Sequence, residues 1–235
     1  MGDATVTSDD YRTLLSSLDR WFTRGQRASE GRVPCRTGCS ACCHGPFDVS
    51  VADAELIAEA VARLPAAERQ EVFRRATGLL GRMRELEPGW TDPYEIATLG
   101  EARFDRLTEA LAEEPCPLLD DAGRCRIYAD RPLVCRLIGL GMVTPAGRVI
   151  GNECPIQDRS PGYAALEPVA FALEEFEERE AAALRAAAVR RFGDERRWTF
   201  ETTIAAVIAA TCSPVPTAGT AVRSPETCRD SPGPT

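Results

Sequence analysis

Apolar residues recur at spacings of three and four close to the start of the chain. Tyr11, Leu14, Leu15, Leu18, Trp21 and Phe22 fall on one face, which predicts an amphipathic helix over 9–24. Gly25 to Pro34 is expected to break it. Ser50-Val51-Ala52-Asp53 then reads as a capping box, with Asp in the position usually held by Glu. The helix it opens carries Ile57, Ala60, Val61 and Leu64 inward. Pro65 suits the first turn of the next helix, which runs to about Leu86 with Val72, Phe73, Leu80 and Met83 on its buried side. A loop at 87–95 leads to a short helix near 100–112, with Phe104, Leu107 and Leu111 in register.

Beyond Pro115 the pattern changes. The stretch from Cys116 to Tyr128 predicts two short strands around a polar turn at Asp120-Asp121-Ala122-Gly123, with Gly where positive φ is easiest. Asp130-Arg131-Pro132 predicts a helix start, Asp as N-cap and Pro in the first turn. A second hairpin is expected over 141–153, turning at Pro145-Ala146-Gly147. Residues 165–192, rich in Ala, Glu and Arg, predict one long helix anchored by Phe171, Phe176, Leu184 and Val189. A last helix covers 198–210. From Ser213 to Thr235, Pro, Ser, Thr and Gly dominate and predict a disordered tail. The whole pattern predicts a mainly helical α+β fold. It forms one domain over 1–212, with helices around a cysteine-rich core and one or two short β-hairpins beside it.

Composition narrows what such a fold can do. The 235 residues carry a formal charge of −8, so neither nucleic acid nor an anionic membrane surface is an expected partner. All 28 basic residues are Arg, which excludes a catalytic lysine. The first residues lack a basic and then apolar leader pattern, and no apolar run approaches the roughly 18–20 residues of a membrane helix. The expectation is a cytoplasmic protein. No GxSxG, HExxH or GxxxxGK pattern occurs. The acidic pairs Asp120-Asp121 and Glu174-Glu175 read as a turn and a solvated helix face. Whether the chain is an enzyme stays open on these residues.

Ten cysteines change the picture. Cys212 and Cys228 stand apart near the end and read as incidental. Four others fall in Cys35-Arg-Thr-Gly-Cys39-Ser-Ala-Cys42-Cys43, followed by the one histidine, His44. Cys116, Cys125, Cys135 and Cys154 form a looser second block. Disulfides are disfavoured in a reducing compartment. Packing cysteines suit apolar runs, but not four thiols within nine residues among Arg36, Gly38 and Ser40. A Cys43–His44 nucleophile would need adjacent side chains to align for proton transfer. Metal–thiolate ligation is the reading that accounts for all eight: Cys35, Cys39, Cys42, Cys43, Cys116, Cys125, Cys135 and Cys154.

Spacing adds detail. Cys39-x-x-Cys42 is the short arch by which two thiolates reach one metal. Adjacent Cys42 and Cys43 are expected to diverge, which points to two ions, or two irons of one cluster. Cys116 and Cys125 face each other across the proposed hairpin. Cys135, near a helix start, would have its thiol pKa lowered by the helix dipole. Arg131 and Arg136 can offset thiolate charge, and His44 is either a ligand or an outer donor. Soft thiolates suit zinc and iron alike, an iron–sulfur cluster included.

These residues resemble the YkgJ-type cysteine-cluster proteins, a zinc- or iron-chelating family with a CxxCxxCC motif. The matching pieces are CRTGCSACC at 35–43, CPLL at 116–119 and CRIYADRPLVCR at 125–136, with Cys154-Pro155 resembling the closing cysteine. The first motif has one more residue between its first two cysteines than the nominal pattern. The likeness covers roughly residues 30–156 and implies metal binding, in a structural or storage role. A related group, the flagellin lysine methylases, joins a similar cluster to methyl transfer from S-adenosylmethionine. That likeness implies an iron–sulfur redox or methyl-transfer enzyme as the alternative, although no Gly-rich Rossmann fingerprint occurs.

Overall fold

The computed structural model describes residues 6–159 and 161–212. The expected disordered tail, with Cys228, lies outside them. The architecture is mainly helical α+β, as the pattern predicted. Helix α1 (Ser8–Ala28) opens with a capping box in which Thr7 and Asp10 exchange hydrogen bonds. Its face of Tyr11, Leu14, Leu15, Leu18 and Trp21 is buried as the spacing required. The helix does not stop at Gly25. That glycine is buried inside it, where a Cβ would come within 2.5 Å of Leu140 Cδ1 and 3.0 Å of Val169 Cγ2. Here glycine serves close packing rather than termination.

Strand β1 (Asp48–Ser50) leads directly into α2 (Val51–Ala62), capped by the Ser50 hydroxyl, which accepts from the Asp53 N–H. Helix α2 is buried on almost every side because it stands between two apolar cores. Ala54, Ile57, Ala60 and Val61 face the first core, and Val51, Ala52 and Leu56 the second. Helix α3 (Ala66–Leu86) ends where predicted and buries Val72, Ala76, Leu79, Leu80 and Met83; Phe73 is only half-buried. Helices α4 (Ile96–Leu99) and α5 (Glu101–Ala110) add Ile96, Leu99, Phe104 and Leu107 to the first core.

After α5 the chain is mostly irregular. The two strands expected around Asp120–Gly123 reduce to a single bridge between Leu119 and Cys125. The Asp120 side chain takes up the N–H groups of Ala122 and Arg124 and so closes the turn locally. Asp130 does not cap a helix. It ends a 3-10 turn (Tyr128–Asp130) and binds Arg12 and Arg63 instead, leaving α6 (Val134–Leu137) a single turn without a side-chain cap. Strands β2 (Met142–Val143) and β3 (Val149–Ile150) form the second hairpin as expected.

The expected long helix from 165 is shorter. A short helix α7 (Pro161–Ala164) comes first. Pro168, which cannot continue a helical ladder, then introduces β4 (Val169–Ala170), parallel to β2. Helix α8 (Leu173–Phe192) follows, with Phe176 buried, Leu184 half-buried and Val189 exposed, while Phe171, half-buried, lies before its start. Strand β5 (Glu201–Thr203) pairs antiparallel with β1, Thr202 opposite Val49, and delivers α9 (Ile204–Cys212) to the first core. The second core joins α1, the far face of α2 and α8 around Trp21, Tyr163 and Phe200. No described helix is long and apolar enough to cross a membrane.

Glu180 on α8 sits half-buried among Asp53 of α2, Glu177 of its own helix and Glu201 of β5, with the Tyr11 hydroxyl of α1 also nearby. Burial first, and then these like charges, push its carboxyl from 4.5 up to about 7. The folded state therefore holds a proton that the unfolded chain has lost, and stability falls as pH rises from about 4.5 to about 7. Glu180→Gln is expected to raise stability by about 1–2 kcal/mol at pH 8, discounted for partial exposure, and to change little at pH 4.5. Urea melts at the two pH values check this; an equal effect at both would contradict it.

Candidate metal centre

The first cysteine block lies on the irregular chain between α1 and β1. Its turns close on themselves: the Cys39 N–H donates to the Arg36 carbonyl at 2.9 Å, and the Cys43 N–H to the Ser40 carbonyl at 2.9 Å. Gly38, at φ +91, makes the bend, with the Arg124 side chain lying against it. The second block is attached to this loop through the backbone. The Cys116 N–H donates to the Cys43 carbonyl at 2.9 Å, and His44 bridges Pro115. The turn at Asp120–Arg124 also approaches it, since a Cβ on Gly123 would sit 3.0 Å from the Ser40 hydroxyl.

Around this junction lies a cavity of about 90 Å³. Cys35, Cys39, Cys42, Cys43, Cys116, Cys125 and Cys135 all line it, together with Arg36, Arg131, Arg136 and an apolar wall of Phe22, Phe47, Ile138 and Ile204. Seven of the eight candidate cysteines therefore meet at one place. Cys42 and Cys43 do not diverge as their adjacency suggested. Both face the cavity, with the Cys43 side chain beside that of Cys42. Cys154 is buried one layer away, beside Cys35. His44 is exposed and is not part of the cavity lining. All eight candidate cysteines are free thiols.

Donor chemistry and placement suit a soft metal ion, with thiols on a common cavity and backbone N–H groups turned into the surrounding loops. As placed, no three Cys, His, Asp or Glu side chains among the described residues stand in ligating geometry. Burial acts against ionisation of the thiols. It pushes Cys35 up to about 11 and Cys116 up to about 12, and raises Cys125 and Cys135 as well. The neighbouring Cys43 side chain, and then burial, raise Cys42 too. The pKa-lowering helix dipole expected for Cys135 is outweighed by this burial and by neighbouring thiols.

Two polar residues hold the second block against the helices. Arg136 is 4% exposed and is spent on structure. It donates to the carbonyls of Ala129 and Arg131 and pairs with Asp19 of α1. Arg131 also donates to Asp19, at 2.6 Å, and stacks 4.4 Å over the Tyr128 ring. Asp53 is 3% exposed. Its Oδ1 accepts from the Tyr11 hydroxyl of α1 and from the Leu133 N–H, both at 3.1 Å, while Oδ2 accepts from the Ser50 hydroxyl at 3.1 Å. Burial pushes its carboxyl upward, against the pull of these hydrogen bonds. Asp53 thus ties the chain two residues before Cys135 to α1 and α2. Sequence reasoning read it only as a local cap. Its one available signal was an acid amid the apolar run Val51-Ala52-Asp53-Ala54.

On the far side, Gly139 at φ +120 lies against Cys35, where a Cβ would sit 2.8 Å from Sγ. The Tyr163 hydroxyl donates to the Gly139 carbonyl at 2.8 Å and stands 3.9 Å from Cys35 Sγ. Asn152 Oδ1 accepts from the N–H groups of Gly139 and Cys154, at 3.1 and 3.0 Å. Neither Tyr163 nor Asn152 carried any signal in the sequence, because both reach the cysteines only through the β2–β3 hairpin and α7.

Residues 34–145, a little under half of the chain, match the model of the CxxCxxCC family, described as "Putative zinc- or iron-chelating domain". This is the family whose motifs the chain resembles. Cys154 lies beyond the matched residues. No curated protein matches the chain, and no solved structure does.

Replacing Asp53 with Ala strands the Tyr11 hydroxyl and the Leu133 N–H inside the protein. The expected cost is about 2–4 kcal/mol of unfolding free energy, measured by denaturant titration. A loss under about 0.5 kcal/mol would show that the carboxylate is not a structural tie.

Proposed function

We propose that this chain binds zinc or iron through a bipartite thiolate set. The cysteines are Cys35, Cys39, Cys42, Cys43, Cys116, Cys125, Cys135 and Cys154, within one domain spanning 1–212. The metal acts mainly as a structural tie or a reversible store. One observation carries the reading: cysteines from two segments, held apart in sequence by α2–α5, line the same cavity. The family match supports zinc or iron chelation independently of that geometry.

Physical chemistry gives the metal a clear task. Burial keeps the thiols of Cys35, Cys116, Cys125 and Cys135 protonated, whereas a soft cation binds the thiolate and releases the proton. Binding energy then becomes folding energy, because the ligands come from both halves of the chain. Zinc would supply a closed structural site, and iron a centre capable of electron transfer. Arg131 stands on the cavity wall, where its charge favours the Cys125 thiolate. The chain's own contribution is to gather sulfur, to orient the loops through Asp53 and Asp19, and to exclude water with Phe22, Phe47, Ile138 and Ile204.

A second reading, an iron–sulfur redox enzyme or an S-adenosylmethionine-linked methyltransferase, is favoured by that same apolar wall, which could seat an organic substrate beside the metal. Elemental analysis and visible absorption of protein purified without oxygen separate the readings. The structural reading expects zinc or iron without acid-labile sulfide, the protein colourless where the metal is zinc, and a melting temperature that drops several degrees after chelation. Brown protein with iron and sulfide would favour the second. Absence of both metals under reducing conditions, with Cys→Ser variants as stable as the parent, would remove metal binding altogether.

A further inference from the structure

Cys35 lines the cavity, and its sulfur is also held from behind. Gln26 of α1 donates to the Cys35 carbonyl. The sulfur lies between the backbone of Gly139, where a Cβ would come within 2.8 Å, and the Tyr163 hydroxyl at 3.9 Å. Gly139 is itself fixed: its N–H donates to Asn152 Oδ1, and its carbonyl accepts from Tyr163 at 2.8 Å. Tyr163 is 1% exposed and belongs to the second core. Phe would fill that core as well, and the Gly139 carbonyl alone satisfies the buried O–H. The contact with sulfur serves neither task.

One proton decides what that contact is. A carbonyl only accepts, so the proton of the Tyr163 hydroxyl points to Gly139. Towards a Cys35 thiol the phenolic oxygen therefore accepts, from the S–H. A thiolate has no proton to give. The hydroxyl must then turn its own proton from the carbonyl to the sulfur, or leave two electron-rich atoms facing each other. Burial raises the pKa of the hydroxyl, which keeps that proton in place. The same hydroxyl works against the burial that raises Cys35.

We infer that Tyr163 is a positioning residue for Cys35: it accepts from the thiol, donates to the sulfur once a metal ion has replaced the thiol proton, and holds that sulfur at the cavity edge in both states. The inference rests on the metal-binding reading above and deepens it. The displaced proton leaves to solvent, and no oxidation state changes. The site thereby extends past residue 145, where the family match ends, because Asn152 and Tyr163 brace Cys35 and Gly139 from beyond it.

The test is a double-mutant cycle on the full-length chain, reduced and loaded anaerobically with zinc or cobalt(II). Tyr163→Phe is expected to weaken zinc binding about 10-fold, as removal of a hydrogen-bond partner of a metal ligand does, and to cost nothing further in a Cys35→Ser background. The sulfur-to-cobalt absorption of Tyr163→Phe should move to longer wavelength, because a thiolate without its donor gives up electron density more easily. Unchanged affinity and absorption, or an equal loss in both backgrounds, would overturn the inference. A second measurement needs no change at Tyr163 and decides even where Tyr163→Phe fails to fold. Saturating zinc should shift one tyrosine C–O stretch in the infrared difference spectrum of the parent, and none in Cys35→Ser. A parent spectrum without that shift would overturn the inference too. A parent that binds neither zinc nor cobalt defeats the metal-binding reading itself.

Discussion

Seven thiols share one small, largely apolar cavity, and the rest of the architecture answers to that constraint. Such a gathering gives little stability by itself. A buried thiol behaves as a small apolar group, and ionising several side by side sets like charges against each other at close range. The cavity wall is therefore built from elements that are rigid for other reasons. Helix α2 is packed on both faces, and the cysteine segments are fastened to it and to α1 by buried polar ties. Asp53 and the Asp19–Arg131–Arg136 network are those ties, and each reaches between elements distant in sequence.

A division of labour follows. Helices α2, α3, α5 and α9 bury the first core, and α1, α8 and the far face of α2 the second. Between them most of the candidate cysteines lie on irregular polypeptide, with Cys135 in the single turn of α6. Loops that must bend around a centre cannot keep helical or sheet hydrogen bonds, so their N–H groups are satisfied by short turns, Cys39 on Arg36 and Cys43 on Ser40, and by the long-range bond of Cys116 to Cys43. The small sheets do the joining. Strand β5 brings α9 beside α2, and the β2–β3 hairpin with β4 closes over α1 through the Trp21 indole, which donates to the Val169 carbonyl.

Local signals in the sequence carried much of this, and long-range ones did not. The amphipathic face of α1, the Ser50 cap, the length of α3 and the turn at Pro145–Gly147 all depend on neighbours in sequence, and each is present. Gly25 was misread because a glycine that ends a helix and one that lets another segment approach look alike until Leu140 and Val169 are seen beside it. Asp130 has the chemistry of a cap, but Arg12 and Arg63 capture it. Pro168 marks the break before α8, within a stretch whose Ala- and Glu-rich composition otherwise favours helix. At the site, the cysteines were legible by spacing. Tyr163, Asn152 and Asp19 were not, because only the folded chain brings them there.

X-ray absorption at the metal edge of protein isolated under reducing conditions tests the central claim most directly. The account predicts zinc or iron surrounded by sulfur alone, at the roughly 2.3 Å typical of metal–thiolate bonds. A first shell of oxygen and nitrogen, or protein that carries neither metal, would contradict it.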